Sequence, residues 1–201
     1  LFRDDVGGPA ITIFSIWHIL FLLIVIGVTV FFALMFKNKD KTVKKKVLDI
    51  FSLIIVVLYF LDFFIHPLMN DNNYLIVDKL PFHVCTASGI LIAITRLFPE
   101  KTKCWYHVPT VLGLIGAIMY ITVPTGVDGE QLFCCRTIQT LIYHGMLVTY
   151  GVLALCYEDV TLSFKTIYKE AIVIAILLQL QCLLAIIVFQ LFIKFLLLFI
   201  Q

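Results

Sequence analysis

The sequence predicts an all-α fold, a polytopic transmembrane helix bundle of six spans in a single domain over residues 1–201, with its N-terminus outside. Composition is the first reason. Of 201 residues, 62% are hydrophobic and 14% charged, against about 45–50% and about 25% in an ordinary soluble domain. Such a chain has too little polar surface to cover itself in water. The second reason is spacing, because apolar runs near the roughly 20 residues needed to cross a hydrocarbon core recur along the whole chain. Phe at 18, with Gly at 10 and Pro at 6, also excludes collagenous, linker-like and disordered classes.

The runs cover residues 11–36, 47–69, 80–98, 104–124, 137–157 and 171–200. The first is longer than the apolar core of a signal peptide and no small-residue cleavage site follows it, so it reads as a span. The chain opens on Leu1, so an initiator Met or a short leader is expected to be missing. The last run would measure about 45 Å at a 1.5 Å rise, beyond a hydrocarbon core of about 30 Å. It is expected to tilt or fray near Lys194 and to end at or above the outer surface.

Orientation follows from the lysines. The first two runs are separated by KNKDKTVKKK, which carries Lys37, Lys39, Lys41, Lys44, Lys45 and Lys46. With that connection inside, alternation places Arg96, Lys101, Lys103, Lys165 and Lys169 on the same side, leaving only Arg3, Lys79 and Arg136 outside. This segregation obeys the positive-inside rule. It speaks for membrane topology, with no nucleic-acid partner expected. The six cysteines match neither a zinc spacing nor a secreted disulfide framework, and neither metal nor cofactor is expected. The adjacent Cys134 and Cys135 read equally as reduced thiols or as an oxidised pair.

Ionisable residues inside spans are costly and mark either function or a bundle-interior pair. Counting from each outer helix end at 1.5 Å per residue puts His18, Asp62, Cys85 and His144 in one layer about 10 Å below the boundary. His66 follows Asp62 by four residues and shares its helix face, so the two are placed to pair. His83 lies nearer the headgroups, a candidate for a lipid-phosphate contact or an interfacial residue. Cys85 is a nucleophile only if an imidazole reaches it, and otherwise a small buried hydrophobe. Thr86 and Ser88 are neighbouring alternatives. Gln179, Gln181 and Gln190 suit interhelical hydrogen bonds. The pairs Trp17-His18, Phe82-His83 and Tyr143-His144 recur at similar intervals and suggest three tandem helical hairpins, a pattern that Tyr106-His107 breaks.

The stretches LPFHVCTASGILIAI, FSIWHIL and IQTLIYHGMLVTYGVLAL resemble the YwaF-type integral membrane proteins, in order across residues 14 to 155. That group is similar to a eukaryotic multi-pass lysophospholipid acyltransferase whose catalytic pair is a Cys in a P-C-H-V sequence and a later Q-H-x-M-L histidine. The resemblance aligns that histidine with His144 and the first one with His83, and it puts Phe82 where the nucleophile stands. Cys85 lies three residues on, about 60° round a helix and one turn deeper. The family's stretch after the sixth helix, with its Asn-Tyr, is not visible here.

Three functions compete. A phospholipid acyltransferase or lipid-ester enzyme of the outer leaflet would use Cys85 and His144 as catalytic residues, with His18, Asp62, His83 and His66 around the substrate. A small-solute or ion carrier would use Asp62, His18 and His144 as protonatable groups. A non-catalytic helical subunit would pack on other membrane subunits. Expected partners are membrane lipids and, for the third reading, those subunits. The expected location is a membrane, the plasma membrane of a bacterium.

Overall fold

The computed structural model describes residues 8–69, 83–103, 105–124 and 126–157, with short helical pieces at 168–169, 171–176 and 179. Among these there is no strand. Six helices follow in order: α1 (Ile16–Phe36), α2 (Lys41–Met69), α3 (Val84–Leu97), the four-residue α4 (Pro99–Thr102), α5 (His107–Thr122) and α6 (Cys135–Cys156). Three stretches are long and apolar enough to cross a membrane, namely Ile16–Phe36, Lys41–Phe64 and Cys135–Cys156, while α3 and α5 are shorter apolar helices.

Local chemistry sets the ends. The helix expected from residue 11 begins at Ile16, because Ser15 is its N-cap and accepts from the His18 amide through its hydroxyl. Just before it, Phe14 takes a φ of 60°, a left-handed turn that no helix continues through. α2 begins six residues earlier than the apolar run, since lysines are good helix formers and the helix continues out of the apolar zone. α3 stops at Leu97 ahead of Pro99, which opens α4 at its first turn. α5 ends at Thr122, with Val123 extended before Pro124.

The core lies between α2, α3, α5 and α6, with α6 at the centre and α1 laid against it. Small residues allow close approach, as expected where lipid supplies no hydrophobic drive between helices. A Cβ at Gly151 would lie 2.7 Å from Leu114 Cβ, so α5 and α6 touch almost backbone to backbone. Polar ties add specificity. Thr29 and Thr149 hydroxyls meet at 2.9 Å between α1 and α6, and Tyr157 donates to the Phe32 carbonyl at 2.9 Å. Near the lysine-rich end, Arg96 donates to the Tyr150 hydroxyl at 3.0 Å and stands 3.6 Å from Asp49. Most of the outward surface of α1 is apolar, including Leu23, Ile26, Phe31 and Leu34.

At the opposite end, residues 9–13 form a strap over the loop between α5 and α6. Ile11 donates to the Glu130 carbonyl, Gly129 donates to that of Ile11, and Leu132 donates to that of Pro9. The Asp128 carboxylate accepts from the Ile13 amide at 3.0 Å. Ile11 is fully buried beneath the strap against Val127 and Leu141.

Candidate functional site

A cavity of about 640 Å³ opens at the strap end of the bundle, between α2, α3, α5 and α6. Its size falls in the range of about 300–1,000 Å³ typical of small-molecule sites. α6 supplies Arg136, Gln139, Thr140, Tyr143 and His144, spaced i, i+3, i+4, i+7 and i+8, so one continuous face of the helix looks into it. α5 contributes Gly116, Met119, Tyr120 and Val123 at helical spacing, and α2 contributes Tyr59 and Asp62. The start of α3 brings His83, Val84, Cys85 and Thr86. Four of the six residues expected at a site, His144, Cys85, Asp62 and His83, therefore share one cavity.

His144 is oriented by its own helix. Its Nδ1 lies 2.8 Å from the Thr140 carbonyl, and a carbonyl can only accept, so Nδ1 carries the proton. The lone pair of the neutral ring is therefore on Nε2. The Tyr120 ring stacks on the imidazole at 3.7 Å between centroids with the planes 10° apart, and Tyr143 meets it edge-on at 5.3 Å. Only 9% of His144 is exposed, although the residue lines the cavity wall.

Cys85 sits in the first turn of α3. Its carbonyl accepts from the Tyr143 hydroxyl at 3.0 Å, and its thiol rests against α5 where Gly116 leaves room. A Cβ at Gly116 would come within 3.0 Å of that sulfur. Cys85 lines the same cavity as Tyr120 and Tyr143, and those two rings are the ones that enclose His144. Among the described residues, Cys85, Cys134, Cys135 and Cys156 form no disulfide. Thr86 donates to the His83 carbonyl at 2.9 Å, the ordinary bond of a helical hydroxyl.

His18 is placed elsewhere. It is wholly buried, its Nδ1 accepts from the Phe14 amide at 3.0 Å, and its Nε2 donates to the Ile121 carbonyl at 2.7 Å. This is the tautomer opposite to that of His144, with no lone pair to spare, and it ties α1 to the end of α5. The side chain of His66 and the whole of Phe82 lie outside the described residues, as do Lys79, Lys165, Gln181, Gln190 and Lys194. The three aromatic–His pairs do not hold equivalent positions. His18 is in the first turn of α1, His83 is the N-cap of α3, and His144 is well inside α6.

Sequence reasoning missed Tyr120, Arg136 and Gln139. The signal was present in α6, where polar residues recur at the spacing that usually carries an apolar stripe. Among the described residues no group of three His, Cys, Asp or Glu side chains could hold a metal ion.

Apolar helices of spanning length around a partly polar cavity define a multi-pass integral membrane protein. No curated protein and no solved structure matches the chain. The chain belongs to the TMEM164 family, which it matches over residues 13–199. The match covers all the described helices and does not extend to the YwaF-type group that the sequence resembles.

Proposed function

We propose that this protein is a phospholipid acyltransferase or related lipid-ester enzyme, with Cys85 as nucleophile and His144 as general base. The observation that carries the reading is the Nδ1 bond of His144 to the Thr140 carbonyl, which leaves Nε2 as the basic nitrogen in a cavity that also holds the Cys85 thiol. In this reading the chain crosses the membrane six times with its N-terminus outside, so the cavity lies in the outer leaflet. Headgroup esters sit near that depth, and a largely apolar cavity suits an acyl chain.

The chemistry runs in two halves. Nε2 takes the thiol proton, and sulfur adds to the acyl carbonyl carbon of the donor ester. The ester C–O bond then breaks, the leaving alkoxide takes the proton from the imidazolium, and a thioester remains. An acceptor hydroxyl next gives its proton to Nε2 and attacks the thioester carbon. The C–S bond breaks and the imidazolium returns the proton to sulfur. Gly116 gives the sulfur its room against α5, while Tyr120 and Thr140 hold the imidazole in orientation.

The test is acyl transfer by the full chain in lipid nanodiscs, with a labelled lysophospholipid as acceptor and a diacyl phospholipid as donor. Cys85→Ser and His144→Ala should each remove the label from the diacyl product while leaving the melting temperature near that of the parent. Transfer unaffected by both substitutions would overturn the assignment. Trapping a thioester on Cys85, cleaved by hydroxylamine and absent in Cys85→Ser, would separate this route from direct attack by the acceptor.

A further inference from the structure

Among the described residues the cavity is lined by one guanidinium, and neither the proposed chemistry nor the fold uses it. Arg136 is in the first turn of α6 and lines the cavity, yet it is among the exposed residues, so it stands at the rim rather than in the floor. It makes no ion pair with any described residue. It lies eight residues before His144, about 12 Å nearer the helix start at 1.5 Å per residue, on the same helix face. It is close enough to Tyr120 to act on that hydroxyl electrostatically, and Tyr120 in turn stacks on His144. With that cation the cavity combines the polar side chains of α6 and the apolar side chains Val84, Met119 and Val123, of which Val84 and Val123 stand at the same end of the bundle as Arg136.

A cation beside apolar side chains is complementary to an amphiphile with an anionic head. Guanidinium is planar, always charged, and matches two oxygens of a phosphate at once, which is why it serves where tetrahedral oxyanions are bound. We infer that Arg136 is the head-group residue of this cavity and holds the phosphate of a single-chain phospholipid whose acyl chain lies against the apolar residues of the lining. The assignment takes the substrate class from the proposed acyl-transfer reading, but phosphate recognition itself does not depend on Cys85 reacting. Asp62 is on the α2 wall of the same cavity.

The experiment is equilibrium binding to the full chain in nanodiscs of neutral lipid, with three probes: lysophosphatidic acid, the monoacylglycerol of the same chain length, and inorganic phosphate. Lysophosphatidic acid should bind at least tenfold more tightly than the monoacylglycerol. Arg136→Gln should abolish that difference without weakening monoacylglycerol binding, and Arg136→Lys should keep part of it, since lysine retains charge but not the two-pronged geometry. Equal binding of the two lipids, or full retention of the difference in Arg136→Gln, would overturn the inference. Competition by inorganic phosphate as strong as that by the lipid would make the site one for free phosphate and overturn the lipid assignment. Unchanged monoacylglycerol binding in Arg136→Gln also reports that the variant is folded. The same measurements on Cys85→Ser separate the two claims. Arg136-dependent binding without acyl transfer in the parent protein leaves the head-group assignment standing and removes the catalytic one.

Discussion

The ring of Tyr120 lies flat on the imidazole of His144, with centroids 3.7 Å apart and planes within 10° of parallel. Together with the Nδ1 bond to the Thr140 carbonyl, this stack fixes the imidazole both in its own plane and across it. The phenol hydroxyl packs over Gly126, in the loop that follows α5.

Holding the ring requires an aromatic face rather than a hydroxyl. Tyr120→Phe should therefore retain most acyl transfer, whereas Tyr120→Leu should lose roughly 10- to 100-fold, the scale on which small misplacements of a reacting group act. Turnover of labelled lysophospholipid, compared with the melting temperature of each variant, checks this. Equal activity in both variants would mean that the stack does not position His144.

Tyr143 and Gly89 form a second coupled pair. The Tyr143 hydroxyl donates to the Cys85 carbonyl at 3.0 Å, and a Cβ at Gly89 would lie 2.5 Å from that hydroxyl oxygen. Tyr143→Phe should cost about 1 kcal/mol for the lost bond. Gly89→Ala should cost about 1–3 kcal/mol through overpacking. The double variant should be less destabilised than the sum of the two, because removing the hydroxyl clears the space. Denaturation of the four proteins in one detergent measures the coupling, and strict additivity would contradict it.

Arg96 shows why charge alone is insufficient inside the bundle. Its side chain is 5% exposed, bonded to the Tyr150 hydroxyl and set against the rings of Tyr106 and Tyr150 at 5.1 and 5.7 Å. Arg96→Lys keeps the cation but loses the planar stacking and the Nε donor. It should destabilise the protein by about 1.5–3 kcal/mol, the scale of a hydrogen bond to a charged group. A melting temperature within a degree of the parent would refute this.

Topology is testable by labelling. Lys45→Cys, at the lysine-rich end, should react with a membrane-impermeant maleimide only after the membrane is opened, in a background where the native cysteines are replaced. Asp128→Cys, at the strap end, should react in intact cells. The reverse pattern would invert the N-out assignment and move the cavity to the inner leaflet.

The long helices were legible because hydropathy dominates their sequences, and the middle of each of α1, α2, α3, α5 and α6 falls within the run that predicts it, while the four-residue α4 falls between two runs. Their ends were less so. The start of α1 depends on Ser15 and the turn at Phe14, and the start of α2 lies among lysines that hydropathy counts as loop. In the site, His144, Cys85, Asp62 and His83 stood out as polar groups in apolar surroundings. His18 stood out equally, but its burial against backbone groups of Phe14 and Ile121 is a tertiary relationship that local sequence does not encode. Tyr120 escaped notice because an aromatic in an apolar helix looks like any other, and only packing across to α6 gives it a role.

The strap also orders the assembly of the protein. Ile13 and Asp128 are joined across 115 residues of sequence, so their bond cannot exist until five helices have been made and α5 has been set in place. Contacts so distant in sequence close late, once the nearer ones have paid their loop entropy. During synthesis residues 9–13 must therefore wait for their partners, and the strap closes only after α1 through α5 have been made.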